Sequence, residues 1–257
     1  MGFRFASLGS GSRGNATLIE AGATSVLVDC GFAARELVAR CEGLGFDPRG
    51  LSALLVTHEH GDHMRGVGAV ARRFGIPVWM THGTWRAADF GTIANLNLFA
   101  GHEGDFSIGD LQVTPVPVPH DAREPTQFVF TREGLRLGLL TDLGSITQRV
   151  LDTFDGVDAL LLECNHDTAM LASGPYPPSL RARVGGRFGH LNNVQAADFL
   201  RRIDHGRLRH LVAGHLSEKN NAPELAREAI ESVSAELGLC LSLLIQDRAS
   251  DWFAIAS

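Results

Sequence analysis

The sequence is poor in the features that would tie it to a membrane, a secretory route or a fibrous assembly. No run of 18 apolar residues occurs, so no membrane-spanning helix is expected. The first residues, MGFRFASLGSGSRGN, lack an apolar core ending in a small-residue cleavage site, so no secretory signal is expected. No heptad series, internal repeat or low-complexity block interrupts the chain, which argues against coiled coils and solenoids. Cysteine is scarce: four residues, at 30, 41, 164 and 240, with no CxxC pair. A chain of 257 residues buries enough surface to fold without staples. Reduced thiols in a cytoplasm are therefore expected. A basic excess is also missing. The net charge of −6 argues against a generally basic, nonspecific nucleic-acid binder. It does not exclude a metal-dependent nuclease, because two bound divalent ions would add about +4 locally. With one Tyr and three Trp, ring platforms for single strands are few, and Trp79 and Trp85 are expected to be packing residues.

What is present is a soluble-type α/β pattern. Hydrophobic residues at 44% and charged residues at 20% are the balance of a globular chain. Short apolar runs alternate with amphipathic ones, and Gly or Pro marks most joints. Strands are expected over 3–8, 16–20, 24–29, 53–56, 78–80, 105–108, 111–118, 127–131, 135–140, 159–162, 208–213, 239–245 and 252–256. Helices are expected over 33–41, 64–74, 83–90, 178–184, 193–201 and 223–237. No Ser/Gly/Pro-rich linker divides the chain, so one domain over 1–257 is expected, with two β-rich halves and helices outside. Pro115, Pro117 and Pro119 remove backbone donors from one side of a strand only, so TPVPVPH is expected at a sheet edge.

The sharpest local feature is Thr57-His58-Glu59-His60-Gly61-Asp62-His63, between the apolar run LSALLV and a helix. His58 and His60 share a side of an extended segment. Gly61 permits a turn, after which Asp62 and His63 can face a second position. Imidazoles and a carboxylate in this density suit zinc, manganese or iron. A polar loop of solvated histidines is the competing reading. His120, Asp142 and His215 each lie just past an apolar strand, where ligands collect in α/β sheets. Singly, each would be an ordinary turn or surface residue. Together they complete two shells: His58, His60 and His120 for one ion, Asp62, His63 and His215 for the other, with Asp142 bridging. Two ions about 3.5–4 Å apart would share a water or hydroxide, the arrangement of a dinuclear hydrolase.

This pattern resembles the metallo-β-lactamase superfamily, which implies an α/β fold of the four-layer αββα type. The segments ASLGSGSRGNATLIE, VTHEHGDHMRGVGAVARRFGIPVW, LECNHD, GPYPPSLRARVGGRFGHLNN and AGHLSEKNNAPELA further resemble the YycJ/WalJ-type group of exonucleases, itself distantly similar to ribonuclease Z. The resemblance runs over about 6–226. It implies a phosphodiesterase acting on DNA from the 5′ end, with Glu163 and His190 assisting the reaction. His166 is a further candidate for protonating the leaving group; Asp62 is counted with the catalytic residues. Glu163 has an alternative as the residue that orients a ligating histidine. Asp29 is placed to orient the HxHxDH loop. Ser12, Arg13 and Asn15, in a glycine-rich turn, are candidates for substrate contact, and a plain tight hairpin is the alternative. Arg181, Arg183 and Arg187 precede His190 and are candidates to line a nucleic-acid path or to be a solvated helix face. Two other classes stay open: a small-molecule hydrolase on the same fold, and a metal-containing module without turnover.

Overall fold

Apolar runs without alternation, such as ALLLE and LLV, are what strands buried on both faces require. The computed structural model of the chain describes residues 2–255. Among these, β1 (Phe3–Gly9), β2 (Ala16–Ala21), β3 (Thr24–Val28), β4 (Ala53–Leu55), β5 (Val78–Thr81) and β6 (Leu96–Phe99) lie side by side in chain order. A second sheet is built in the same way from β7 (Phe106–Ile108), β8 (Leu111–Pro117), β9 (Thr126–Arg132), β10 (Leu135–Leu140), β11 (Ala159–Glu163), β12 (His210–Gly214) and β13 (Leu241–Leu243). The last strand, β14 (Phe253–Ala254), returns to pair with β1. Both sheets are mixed. β1 to β3 and β7 to β10 run antiparallel, whereas β3 to β6 and β10 to β13 run parallel.

Parallel neighbours need crossovers, and the helices supply them. On the first sheet these include α1 (Ala34–Gly43), α3 (Val67–Phe74) and α4 (His82–Ala87). On the second they are α5 (Gln148–Phe154), α8 (Asn193–Arg202) and α9 (Pro223–Ser234). Three short helices, α2 (Gly61–Met64), α6 (Thr168–Ser173) and α7 (Pro178–Val184), sit in the loops. The core falls into three layers. Phe5, Ile19, Phe128, Phe130 and Leu161 fill the space between the sheets. Leu8, Leu37, Leu54 and Val70 pack α1 and α3 onto the first sheet. Leu160, Phe154, Phe199 and Ile230 pack α5, α8 and α9 onto the second. β11 shows the alternation: Ala159 and Leu161 face the other sheet, Leu160 and Leu162 face helices. This is the αββα sandwich expected from the sequence.

Some elements differ from expectation. β6, α2, α5 and α6 are not anticipated by the sequence pattern, because each is four to seven residues long and too short for a period to emerge. The helix expected over 64–74 is broken at Gly66, whose Cβ would stand 2.0 Å from the Phe32 carbonyl oxygen. The helix expected over 83–90 ends at Ala87. The strand expected over 239–245 shrinks to β13, and that over 252–256 to β14, with residue 256 outside the described residues. β8 is not an edge strand throughout, since β7 pairs with its first three residues. The prolines lie beyond that pairing. Val118 N–H donates to Pro125 O on the β9 side, so alternate positions 115 and 117 turn their missing donors toward the open side.

Candidate metal centre

The sandwich brings the ends of β3, β4, β8, β10, β11 and β12 to one edge, and each delivers a polar side chain there. Asp29 and His215 reach their positions with left-handed backbone, φ 62° and 55°, a conformation tolerated where surrounding contacts over-determine it. The Asp29 carboxylate accepts from Thr57 N–H at 2.8 Å, Thr57 Oγ1–H at 2.8 Å and His63 Nδ1–H at 2.8 Å. It thus pins both ends of the 57–63 loop, as the sequence reading places it. Gly31 lets that loop approach: a Cβ there would lie 1.8 Å from Asp62 O.

Four imidazoles have their Nδ1 protons committed to protein acceptors. His63 donates to Asp29, His120 to Gly189 O at 2.9 Å, and His215 to Thr141 O at 2.8 Å and Glu163 Oε1 at 2.9 Å. Thr57 Oγ1, already donating to Asp29, accepts from His58 Nδ1 at 2.9 Å. This turns the Nε2 atoms inward, the orientation that outer partners impose on metal-binding histidines. His58 Nε2 lies 3.0 Å and His120 Nε2 3.2 Å from His60 Nδ1. Three nitrogens at that spacing match the edge of a zinc tetrahedron, about 3.3 Å for bonds of 2.0–2.1 Å. Burial among the other three histidines keeps His58 well below the usual imidazole range, so its lone pair is available.

The second group is Asp62, His63 and His215. Asp62 Oδ2 stands 3.5 Å from His63 Nε2 and 3.7 Å from His215 Nε2. Burial alone would raise the Asp62 carboxyl, but His63 and His215 hold it far below the usual range. Burial likewise opposes charge on His63, yet Asp142, Asp62 and Asp29 raise it well above the ordinary value. Asp142 joins the groups. Its Oδ2 is 3.3 Å from His63 Nε2, and its Oδ1 is 3.9 Å from His120 Nε2. That Oδ2 is buried without a hydrogen-bond partner among the described residues. A buried carboxylate oxygen that makes no hydrogen bond, set among inward-turned imidazole nitrogens, is costly in isolation and fits cations. All seven sequence-derived ligand candidates therefore meet, and their arrangement suits divalent metal ions.

The centre opens into a cavity of about 210 Å³, lined by Ser12, His60, Asp62, Asp121, Asp142, Asn165, Arg183, His190 and His215 among others. His190 lies at its wall with Nδ1 donating to Glu163 Oε1 at 2.7 Å, and its Nε2 makes no hydrogen bond among the described residues. The capping box of Asn192 and Gln195 starts α8 directly after it and fixes its position. Glu163 and His166, which the sequence reading counts with His190, do not line the cavity. Glu163 is fully buried, and its Oε2 also accepts from Leu143 and Leu191 N–H at 3.2 and 3.0 Å. Burial would raise its carboxyl, but His190 and His215 bring it down to about 2. His166 is buried beside Asn192, to which its backbone bridges. Of the glycine-loop candidates, Ser12 lines the cavity. The Asn15 amide is turned inward onto Gly11 N–H and O and toward Asp62, at 2.8, 3.0 and 3.3 Å. Arg13 points away, paired with Glu218 and Asp247 at 2.7 and 2.6 Å. Asp121 was not singled out from sequence. It follows His120 directly, and its neighbour Arg183 on α7 was one of three equivalent arginines. No helix of the described residues is long and apolar enough to cross a membrane.

Comparison with known proteins agrees with this geometry. Residues 24–215 match the family model of the beta-lactamase superfamily domain. The chain is 35% identical to exodeoxyribonuclease YycJ of Bacillus anthracis, covering 93% of this chain and 91% of that one. It is 31% identical to exodeoxyribonuclease WalJ of Streptococcus pneumoniae, over 98% and 96%. Its fold superposes on the metallo-beta-lactamase fold protein YhfI of Bacillus subtilis with a TM-score of 0.74 at 16% identity, over 97% and 99% of the two chains. From the strand-end histidines and aspartates gathered in this chain, the two mixed sheets and these matches together, the chain belongs to the beta-lactamase superfamily, in the group that contains exodeoxyribonucleases YycJ and WalJ.

Proposed function

We propose that the protein is a metal-dependent exodeoxyribonuclease that degrades DNA from the 5′ end, with one domain over 1–257. His58, His60 and His120 would hold one divalent ion, Asp62, His63 and His215 a second, and Asp142 both. Zinc, manganese or iron suits the mixed imidazole and carboxylate set. Such ions supply Lewis-acid polarisation of a phosphoryl oxygen and lower the pKa of a bound water toward ~7. The observation that carries the reading is the pairing of these clusters, joined by the unpartnered Asp142 Oδ2, with a solvent-reaching imidazole across the same cavity.

The chain's own residues do the rest. His190 holds a proton at Nε2 for the leaving oxygen. Glu163 is a positioning residue: one carboxylate oxygen takes the Nδ1 protons of His190 and His215, so ring angles on both sides of the cavity are set together. Ser12 borders the space where substrate sits. A cytoplasmic location belongs to this proposal and is supported by Cys30, Cys41 and Cys164, which are free and buried; burial pushes Cys30 and Cys41 up to about 12, which leaves them as inert packing.

A cleavage screen tests this. Protein loaded with Mn²⁺ or Zn²⁺ is expected to shorten 5′-labelled DNA, to do so less or not at all after exhaustive chelation, and to lose the activity on Asp62→Ala. Inertness toward every DNA and RNA, beside turnover of bis-p-nitrophenyl phosphate, would replace the nuclease by a small-diester hydrolase. Full activity after chelation would overturn both.

A further inference from the structure

We propose that Arg183 is the residue that grips the phosphate of the substrate, and that Asp121 occupies the place of that phosphate while the site is empty of substrate. The inference rests on the nuclease reading and adds a contact to it. Arg183 stands near the end of α7, a helix with no buried residue, and its guanidinium lines the cavity with Nε donating to Asp121 Oδ2. The other oxygen of the same carboxylate, Oδ1, faces the metal centre: it is 3.5 Å from His120 Nε2 and 3.6 Å from His60 Nε2. Asp121 therefore spans from a guanidinium on one side to the first histidine cluster on the other. An anion with one oxygen toward a cation site and another on an arginine fork is what a phosphodiester presents through its two nonbridging oxygens.

The surroundings favour exchange rather than a permanent strut. Both partners reach solvent, with side-chain exposures of 58% for Arg183 and 25% for Asp121, so the pair contributes little to stability. Arg183 is the one arginine or lysine lining the cavity among the described residues. Arg181 is drawn to Ala172 O, and Arg187 lies over the Phe188 ring at 5.1 Å, so neither duplicates it. In a chain of net charge −6, a single guanidinium beside the scissile position, released by an incoming phosphate from an internal carboxylate, gives local attraction for the polyanion without a basic surface.

The test uses the metal-loaded full chain and a single-stranded oligonucleotide carrying phosphorothioate linkages, its binding followed by fluorescence anisotropy over a salt series. Arg183→Gln is expected to raise Kd about 10-fold or more and to flatten the slope of log Kd against log salt by roughly 0.7, one phosphate contact on a single strand. Arg183→Lys is expected to keep the slope but not the full affinity, because the fork geometry is lost. Asp121→Asn, which removes the internal competitor, is expected to bind at least as tightly as wild type with an unchanged slope. Wild-type Kd and slope in Arg183→Gln would overturn the proposal. So would equal weakening in Asp121→Asn and Arg183→Gln with equally lowered melting temperatures, the mark of a purely structural pair. If the wild-type protein itself binds no oligonucleotide, the nuclease reading fails first, and the variants are not what decides it.

Discussion

Asp29→Asn is the cleanest perturbation the structure offers. Asn tolerates the left-handed φ of 62° at this position as well as Asp does, so the backbone need not move. The side-chain amide, however, cannot replace the carboxylate. Asp29 receives Thr57 N–H on Oδ1 and both Thr57 Oγ1–H and His63 Nδ1–H on Oδ2. Whichever way the amide is turned, its NH₂ opposes a donor, either the Thr57 backbone N–H or the His63 Nδ1–H. Thr57 Oγ1 can rotate to accept, but a ring N–H cannot. Either the Thr57 N–H bond or the His63 Nδ1–H bond, each 2.8 Å, is lost, and the one that remains no longer meets a charged acceptor; bonds to charged groups contribute about 1.5–3 kcal/mol. The structure therefore expects zinc affinity to fall roughly 10–100-fold through misoriented His63, while the fold survives. Competition with a chromophoric chelator measures the affinity, and a urea transition of the metal-free protein checks the fold. A wild-type zinc Kd in Asp29→Asn would refute the idea that the outer carboxylate sets this ligand.

Three further outcomes follow from the same geometry. His190→Ala is expected to lower turnover roughly 10²–10⁴-fold with unchanged metal content, measured by single-turnover cleavage and metal analysis; a normal rate would remove it as proton donor. Gly31→Ala is expected to disrupt the centre outright, since its Cβ would meet Asp62 O at 1.8 Å; a variant with wild-type melting temperature and metal content would show that the loop is looser than described. Phe154→Ala, fully buried between α5 and the second sheet, is expected to cost about 3–5 kcal/mol in urea unfolding and to leave the metal affinity of the folded protein unchanged, because it lies in the helix-side layer.

The seven candidate ligands and the alternation of strands and helices were legible in the sequence for a local reason, whereas the four-layer sandwich was what the family resemblance implied. Short apolar runs ending in glycine report strands, and a polar residue just past such a run sits at a strand's carboxyl end wherever the strand lies. The HxHxDH spacing adds its own turn. Chain position and period carry that much. They say nothing of which way a side chain faces once it arrives. Glu163 and His190 lie 27 positions apart, yet only the assembled sheet shows that the first is sealed under the second with both oxygens engaged. Asn15 and Arg13 are nearly adjacent, and the hairpin turns one amide inward and the other guanidinium out to Glu218. Asp121 and Arg183 are separated by 62 positions and belong to no common motif. The prolines of β8 mark the side that lacks donors, but the length of β7 decided where that side becomes an edge. The sequence by itself determined which atoms are able to bind a cation, because that is a property of each side chain and its place along a strand. The tertiary structure decided which of them share one space and which protons they keep, because those depend on acceptors brought in from distant parts of the chain.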